Sequence, residues 1–103
     1  MDPGKIASQA GHAYLGAFAA SQNTPEGAAY SQLSPGTKVC LQGNLAELSH
    51  ALEELKEAGI PHYLVIDSGC PDFFDGQPTI TALGFGPSTR TPLKRITRRL
   101  KLL

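Results

Sequence analysis

Thr37-Lys38-Val39-Cys40-Leu41-Gln42 and His62-Tyr63-Leu64-Val65-Ile66-Asp67, with Asn44 to Gly59 between them, decide the reading of the fold. The first segment is short, β-prone and bounded by turn residues, so it reads as a strand. Asn44 then caps a helix, and Glu47, three residues on, completes a capping box. Leu45, Leu48, Leu52 and Leu55 give that helix its apolar stripe, with Glu47, Glu54 and Lys56 off it. Gly59 ends it as a left-handed cap, and Pro61 prevents continuation. The run from His62 to Asp67 is apolar with a charged end, the pattern of a central strand covered on both faces. The order strand, helix, strand predicts a right-handed parallel crossover and an α/β fold. Asp67 then falls at the carboxyl end of a parallel strand, where open α/β sheets gather their ligand residues.

Toward the N-terminus, Asp2 caps a helix and Pro3 occupies its first turn. The helix is expected to reach about Ser21, broken by Gln22-Asn23-Thr24-Pro25. It carries two stripes. Ile6, Ala10, Ala13, Tyr14 and Ala17 form an apolar one. Lys5, Gln9, His12 and Gly16 form a second, turned away from the first. Thr24 caps a second short helix, with Pro25 at its first position, running to about Gln32, and Ser34-Pro35-Gly36 is a turn. Toward the C-terminus, Ser68 to Pro78 is a loop rich in Gly, Pro and Asp. Thr79 to Phe85 is a strand with Ile80 and Ala82 on one face. Thr91-Pro92 starts a last helix by the cap-plus-proline rule, with Leu93, Ile96, Leu100 and Leu103 as its stripe. The expected order is α, α, β, α, β, β, α. Three strands make a thin sheet for four helices, so an edge is expected to be open or paired with another chain.

A chain of 103 residues is expected to form one domain, residues 1–103, able to bury a two-layer core without disulfides or a structural metal. With 41% hydrophobic and 17% charged residues, disorder is not indicated. No apolar run is long enough to span a bilayer, and no signal peptide opens the chain. Cys40 and Cys70 form no metal-ligand pattern. Cys40 reads as a small core residue and Cys70 as a loop residue, both reduced, in a cytosolic protein. The formal net charge is zero, but its distribution is uneven. Arg90, Lys94, Arg95, Arg98, Arg99 and Lys101 are six of the nine basic residues, and no acidic residue follows Asp75. A basic end of this kind points to a polyanionic partner, with a solvated helix face as the alternative.

Three features carry potential chemistry. The stripe Lys5–Gln9–His12 combines a cation, an amide and an imidazole, able to hold an anion and move a proton; the alternative is a solvated helix face with an incidental histidine. A carboxylate such as Asp67, ending a buried strand, can orient an imidazole or a water, or act as a general base; the alternative is an Asp that bonds its own turn. Gly84 and Gly86, leaving a strand in Leu83-Gly84-Phe85-Gly86-Pro87, let backbone N–H groups approach a ligand closely; the alternative is a tight strand exit. Neighbours that would activate Ser68 or Cys70 as a nucleophile are not evident, and no phosphate-binding loop of the nucleotide-hydrolase type is present.

The run Gly4-Lys5-Ile6-Ala7-Ser8-Gln9-Ala10-Gly11-His12-Ala13 closely resembles the G-K-[IV]-A-x-Q-x-x-H-A signature of the archaeal/eukaryotic-type (class II) peptidyl-tRNA hydrolases. Ile66-Asp67-Ser68-Gly69 resembles that family's D-[AS]-G turn. Thr79 to Pro87 resembles its T-V-L-G-I-G-P strand and exit, and Leu100-Lys101-Leu102-Leu103 its L-K-L-[LY] ending. The matches follow the family order across nearly the whole chain. The resemblance implies a small mixed sheet between helices and hydrolysis of the ester joining a peptide to the 3′-terminal ribose of tRNA, which recycles tRNA from aborted translation. It implies Lys5, His12, Asp67 and Thr79 as catalytic residues. Gln9, Gly84 and Gly86 join them on geometric grounds as substrate contacts, and Arg95 and Arg98 as contacts to the tRNA backbone. No metal or cofactor is expected. The expected partner is peptidyl-tRNA, with no membrane and with a second copy of the chain as a candidate.

Two departures shape the expectations. The family opens with a hydrophobic strand before the G-K signature, whereas Met1 stands almost directly before it here, so the expectation is either a sheet one strand short or a misplaced start of the chain. The family turn continues D-A-G-R-T-Q, where this chain has Cys70 and Pro71 in place of the arginine and threonine. Besides the hydrolase, the sequence therefore leaves open a weak or inactive relative that binds tRNA or a protein through the same surface, and a folded remnant without function.

Overall fold

The structure is a computed structural model that describes residues 2–33, 36–67 and 79–103. Its elements are α1 (Pro3–Ala20), α2 (Pro25–Ser31), β1 (Leu41–Gln42), α3 (Leu45–Ala58), β2 (His62–Asp67), β3 (Thr79–Phe85), α4 (Arg90–Thr97) and β4 (Lys101–Leu102). The expectations for Ser34, Pro35, Ser68, Gly69, Cys70 and Pro71 lie outside the described residues.

Local chemistry explains the helix ends. The Asp2 carboxylate accepts the Lys5 backbone N–H at 2.9 Å and caps α1. The Thr24 hydroxyl accepts the Gly27 N–H at 2.9 Å and caps α2. Around α3 the capping box is complete: the Asn44 side chain accepts the Glu47 N–H at 2.8 Å, and Glu47 accepts the Asn44 N–H at 2.9 Å. Gly59 closes α3 at φ 67°, in the left-handed region that L side chains avoid.

Strand β2 pairs antiparallel with β3, from His62 opposite Phe85 to Asp67 opposite Thr79. Alternate residues of β3 face opposite layers. On one side Gly84 lies against the backbone of Ala13 in α1, where any side chain would collide with the Ala13 carbonyl. On the other, Leu83 and Phe85 pack on the core of Ala51, Leu55, Ile60 and Ile96, supplied by α3, its exit and α4. The sheet is therefore sandwiched between α1 and the α3–α4 layer, an α/β fold. Leu55 is completely buried, a position where burial of a large aliphatic side chain contributes about 1.5–3 kcal/mol.

The structure corrects several expectations. The crossover is not parallel: β1 pairs antiparallel with β4, β2 pairs antiparallel with β3, and β1 and β2 are not neighbours. Asp67 accordingly ends an antiparallel strand. Of Thr37 to Gln42 only Leu41 and Gln42 form a strand, because only they find a ladder partner. The residues before them are tied to the α1–α2 layer instead: the Tyr30 hydroxyl donates to the Thr37 carbonyl at 3.0 Å, and the Lys38 ammonium lies 5.5 Å from the Tyr30 ring centre. Cys40 is half-buried beside this layer and not in the core. The described residues hold four strands in two two-stranded sheets, not three in one. The last helix is capped at Thr89, not Thr91, and ends at Thr97. Lys101 and Leu102 leave it to pair with Gln42 and Leu41, so the Leu100 to Leu103 stripe is not helical.

The two stripes of α1 are also redrawn. Its buried residues are Gln9, Ala13 and Ala17, and Gly16 receives the ring of Tyr63. Gln9 and Gly16 thus face the sheet, while His12 is exposed. The small residues Ala13, Gly16 and Ala17 let α1 approach closely. Gln9 is buried among them because it finds polar partners, described next.

Candidate active site

The buried Gln9 amide joins three elements. The Thr81 hydroxyl on β3 donates to Gln9 Oε1 at 2.6 Å, and Gln9 Nε2 donates to Asp67 Oδ2 at 3.4 Å at the end of β2. The acceptor-only carboxylate fixes the amide orientation: the NH₂ must point to Asp67, which turns the carbonyl oxygen to Thr81. Thr81 reaches α1 because of a bulge. Val65 faces Ala82 and Ile66 faces Ile80, so Thr81 is the extra residue between them. Since Val65 and Ile66 point to opposite faces, Ala82 and Ile80 do as well, and they do not share the face expected of them.

Lys5 lies four residues before Gln9 on α1, one turn toward the N-terminus and on the same side. His12, a turn beyond Gln9, lines an open groove together with Gln9 and Asp67. Thr79 stands directly opposite Asp67 in the β2–β3 ladder. The structure therefore brings Lys5, Gln9, His12, Asp67 and Thr79 to one end of the α1–β2–β3 layer. Thr81 was missed by the sequence reading. The signal was present: the seven letters T-V-L-G-I-G-P, counted back from Pro87, match Thr81-Ala82-Leu83-Gly84-Phe85-Gly86-Pro87, so the threonine of that motif falls on Thr81 and not on Thr79.

The glycines belong elsewhere. Gly84 is opposite Tyr63, four residues from Asp67 along β2, about 13 Å at strand rise. Its missing side chain makes room for Ala13. Gly86 sits at φ 89°, and its N–H donates to the Pro61 carbonyl at 2.8 Å, so that donor is already engaged. Arg95 and Arg98 line a groove between α3 and α4, facing Glu47, His50 and Glu54. That groove is on the other side of the sheet from α1. Among the described residues no group of three His, Cys, Asp or Glu side chains converges as metal ligands.

A carboxylate, an imidazole and a cation around a rigidly held amide can position and deprotonate a water beside an acyl group. Comparisons with known proteins show the family of the chain. A family model described as "Peptidyl-tRNA hydrolase PTH2" matches residues 1–103. This chain belongs to that family. It is 42% identical over 105 positions to a peptidyl-tRNA hydrolase of Methanothermobacter thermautotrophicus, an alignment covering 100% of this chain and 89% of the relative. It is 39% identical to one of Methanopyrus kandleri, covering 100% of this chain and 88% of the relative. It is 36% identical to one of Halobacterium salinarum, covering 99% of this chain and 88% of the relative. Similarity at this level is to hydrolases in each case, and no relative among these points to a binding-only role.

Proposed function

We propose that this chain hydrolyses the ester between peptide and tRNA in peptidyl-tRNA, and that Asp67, His12, Gln9 and Lys5 perform the reaction. The observation that carries the reading is the Thr81–Gln9–Asp67 chain of hydrogen bonds, which joins β3, α1 and β2 at the groove containing His12. Asp67 or His12 takes a proton from water as the water oxygen attacks the acyl carbonyl. Lys5 stabilises the oxyanion that forms. The C–O bond to the ribose then breaks, and the ribose oxygen takes a proton. The products are a peptide carboxylate and tRNA with a free 3′-terminal hydroxyl. Gln9 holds the Asp67 carboxylate in one orientation, and Thr81 holds Gln9. Thr79 lies beside Asp67 as a further polar neighbour. Arg95 and Arg98 contact the tRNA backbone away from the ester. Residues 1–103 act as one domain, in the cytoplasm, as a monomer or as a homodimer. Among the described residues no helix is long and apolar enough to cross a membrane.

The test is incubation of the purified chain with N-acetyl-aminoacyl-tRNA, followed by separation of products. The reading expects N-acetyl amino acid and intact, rechargeable tRNA, with the rate falling on the order of 10²-fold in His12→Ala. A folded chain that binds the tRNA but releases nothing would remove the hydrolase reading and leave a binding protein.

A further inference from the structure

The groove that begins at Gln9, His12 and Asp67 continues well past them. It runs between α1 and β2 with a volume of about 750 Å³. Beyond the polar end its walls are Leu15, Ala19 and Ala20 from the helix and Tyr63 and Val65, which share the face of Asp67, from the strand. Two of these are large apolar or aromatic side chains left open to solvent: Leu15 is 70% exposed and Tyr63 47%. Single exposed apolar side chains need no explanation, but two lining one groove do. Glycine at position 16 lets Tyr63 seat against the helix: its ring occupies the space a side chain there would fill. From Gln9 to Gly16 is about 10 Å along the helix, the length of about three extended residues.

The helix also has a direction in its chemistry. Lys5 stands one turn before Gln9, on the side away from the apolar groove. Among the described residues no Lys or Arg lines the groove, so its described walls carry no fixed cation for a phosphate. The substrate of the proposed reaction has the same polarity, with a polyanionic nucleotide on one side of the acyl carbonyl and a peptide on the other.

We infer that the α1–β2 groove receives the peptide side of the substrate, the last two or three residues before the ester, and that Leu15 and Tyr63 give it a preference for apolar side chains near the scissile bond. This deepens the hydrolase reading and rests on it. The nucleotide then leaves the site toward Lys5, and the acyl carbonyl is held between, at Gln9 and Asp67. The groove stays shallow and open, so the preference is a gradation and not an exclusion.

The experiment compares kcat/KM for N-acetyl-leucyl-tRNA and N-acetyl-glycyl-tRNA in the wild-type chain and in Leu15→Gln. Leu15 is exposed on the helix surface and glutamine is a good helix former, so the variant folds. The expected wild-type ratio is on the order of tenfold in favour of leucyl, collapsing toward one in Leu15→Gln. Ala19→Lys adds a second readout: a groove that holds peptide loses leucyl preference, whereas a groove that holds the tRNA end binds both substrates more tightly. The inference is overturned by equal wild-type rates, by a ratio that survives Leu15→Gln, or by both substrates gaining in Ala19→Lys. Cleavage of neither substrate by the wild-type chain overturns the hydrolase reading itself, and so separates the two failures.

Discussion

Replacing Thr81 by valine removes one hydroxyl and keeps the shape of the side chain. The hydroxyl is the donor to the carbonyl oxygen of a buried glutamine, at 2.6 Å. A neutral hydrogen bond is worth about 0.5–1.5 kcal/mol net, but an acceptor left buried without a partner costs about 1–3 kcal/mol. Valine suits a strand at least as well as threonine, so nothing offsets that cost. Thr81→Val should therefore lower stability by about 1–3 kcal/mol. For a domain of this size, each kcal/mol lowers Tm by about 4–8 °C, a shift easily read by circular dichroism. The second effect is on turnover. Without Thr81 the amide of Gln9 can turn, and its bond to Asp67, already long at 3.4 Å, is the one it loses. The expected fall in kcat is tenfold or more, in single-turnover deacylation of N-acetyl-aminoacyl-tRNA. Thr81→Ser keeps the donor and should recover most of both. In a double-mutant cycle, Gln9→Leu combined with Thr81→Val should be non-additive by about 0.5–3 kcal/mol. A Thr81→Val protein with wild-type Tm and wild-type kcat would refute the reasoning, because the hydrogen bond would then hold nothing in place.

Gly84→Ala should destabilise the protein by about 1–3 kcal/mol, because the new carbon meets the Ala13 backbone and pushes α1 from the sheet; thermal melting checks it, and a neutral outcome would mean the helix is not seated there. Changing Arg95 and Arg98 together to alanine should weaken tRNA binding and flatten its dependence on salt by about 0.9 in log–log slope per lost phosphate contact; an unchanged slope would make these residues a solvated face opposite the α3 acids. Burial, and then the Cys40 thiol beside it, hold the Tyr14 phenol above its ordinary value of 10.0. The fold therefore favours the neutral phenol, and the stability this gives is complete below about pH 10 and lost as the pH rises past it. Thermal melts between pH 8 and 11 should show that loss, reduced in Tyr14→Phe.

How much of this was legible depended on whether the signal was local. The caps at Asp2, Thr24 and Asn44 and the stop at Gly59 involve residues within a turn of one another, so short-range chemistry places them correctly. The strand directions were not legible. Strand–helix–strand order favours a parallel crossover, but that rule assumes the first strand is long enough to take part, and β1 is two residues whose partners stand about sixty positions away. The same long-range pairing pulls Lys101 and Leu102 out of a helix that their spacing alone supports. At the proposed site, Lys5, His12 and Asp67 are marked by the family motifs and Gln9 by its place on the helix. The burial of Gln9 was not, since a polar residue reads as exposed until its partners are known, and those partners come from β2 and β3. Thr81 was hidden by the bulge that turns it to the helix, and the seven-letter match to the strand exit was the signal that could have exposed it. Gly84 and Gly86 were legible as special backbone positions, but as places of close packing and a positive φ, not as donors to a ligand.

The most direct test of the site is the rate of N-acetyl-aminoacyl-tRNA cleavage by Asp67→Asn beside the wild-type chain, with both shown to be folded by circular dichroism. Asparagine keeps the size of the side chain and can still accept from Gln9, but it cannot take a proton from water. The account predicts cleavage by the wild-type chain and a loss on the order of 10²-fold in the variant. Wild-type turnover by folded Asp67→Asn would contradict it and move the chemistry away from the Thr81–Gln9–Asp67 cluster.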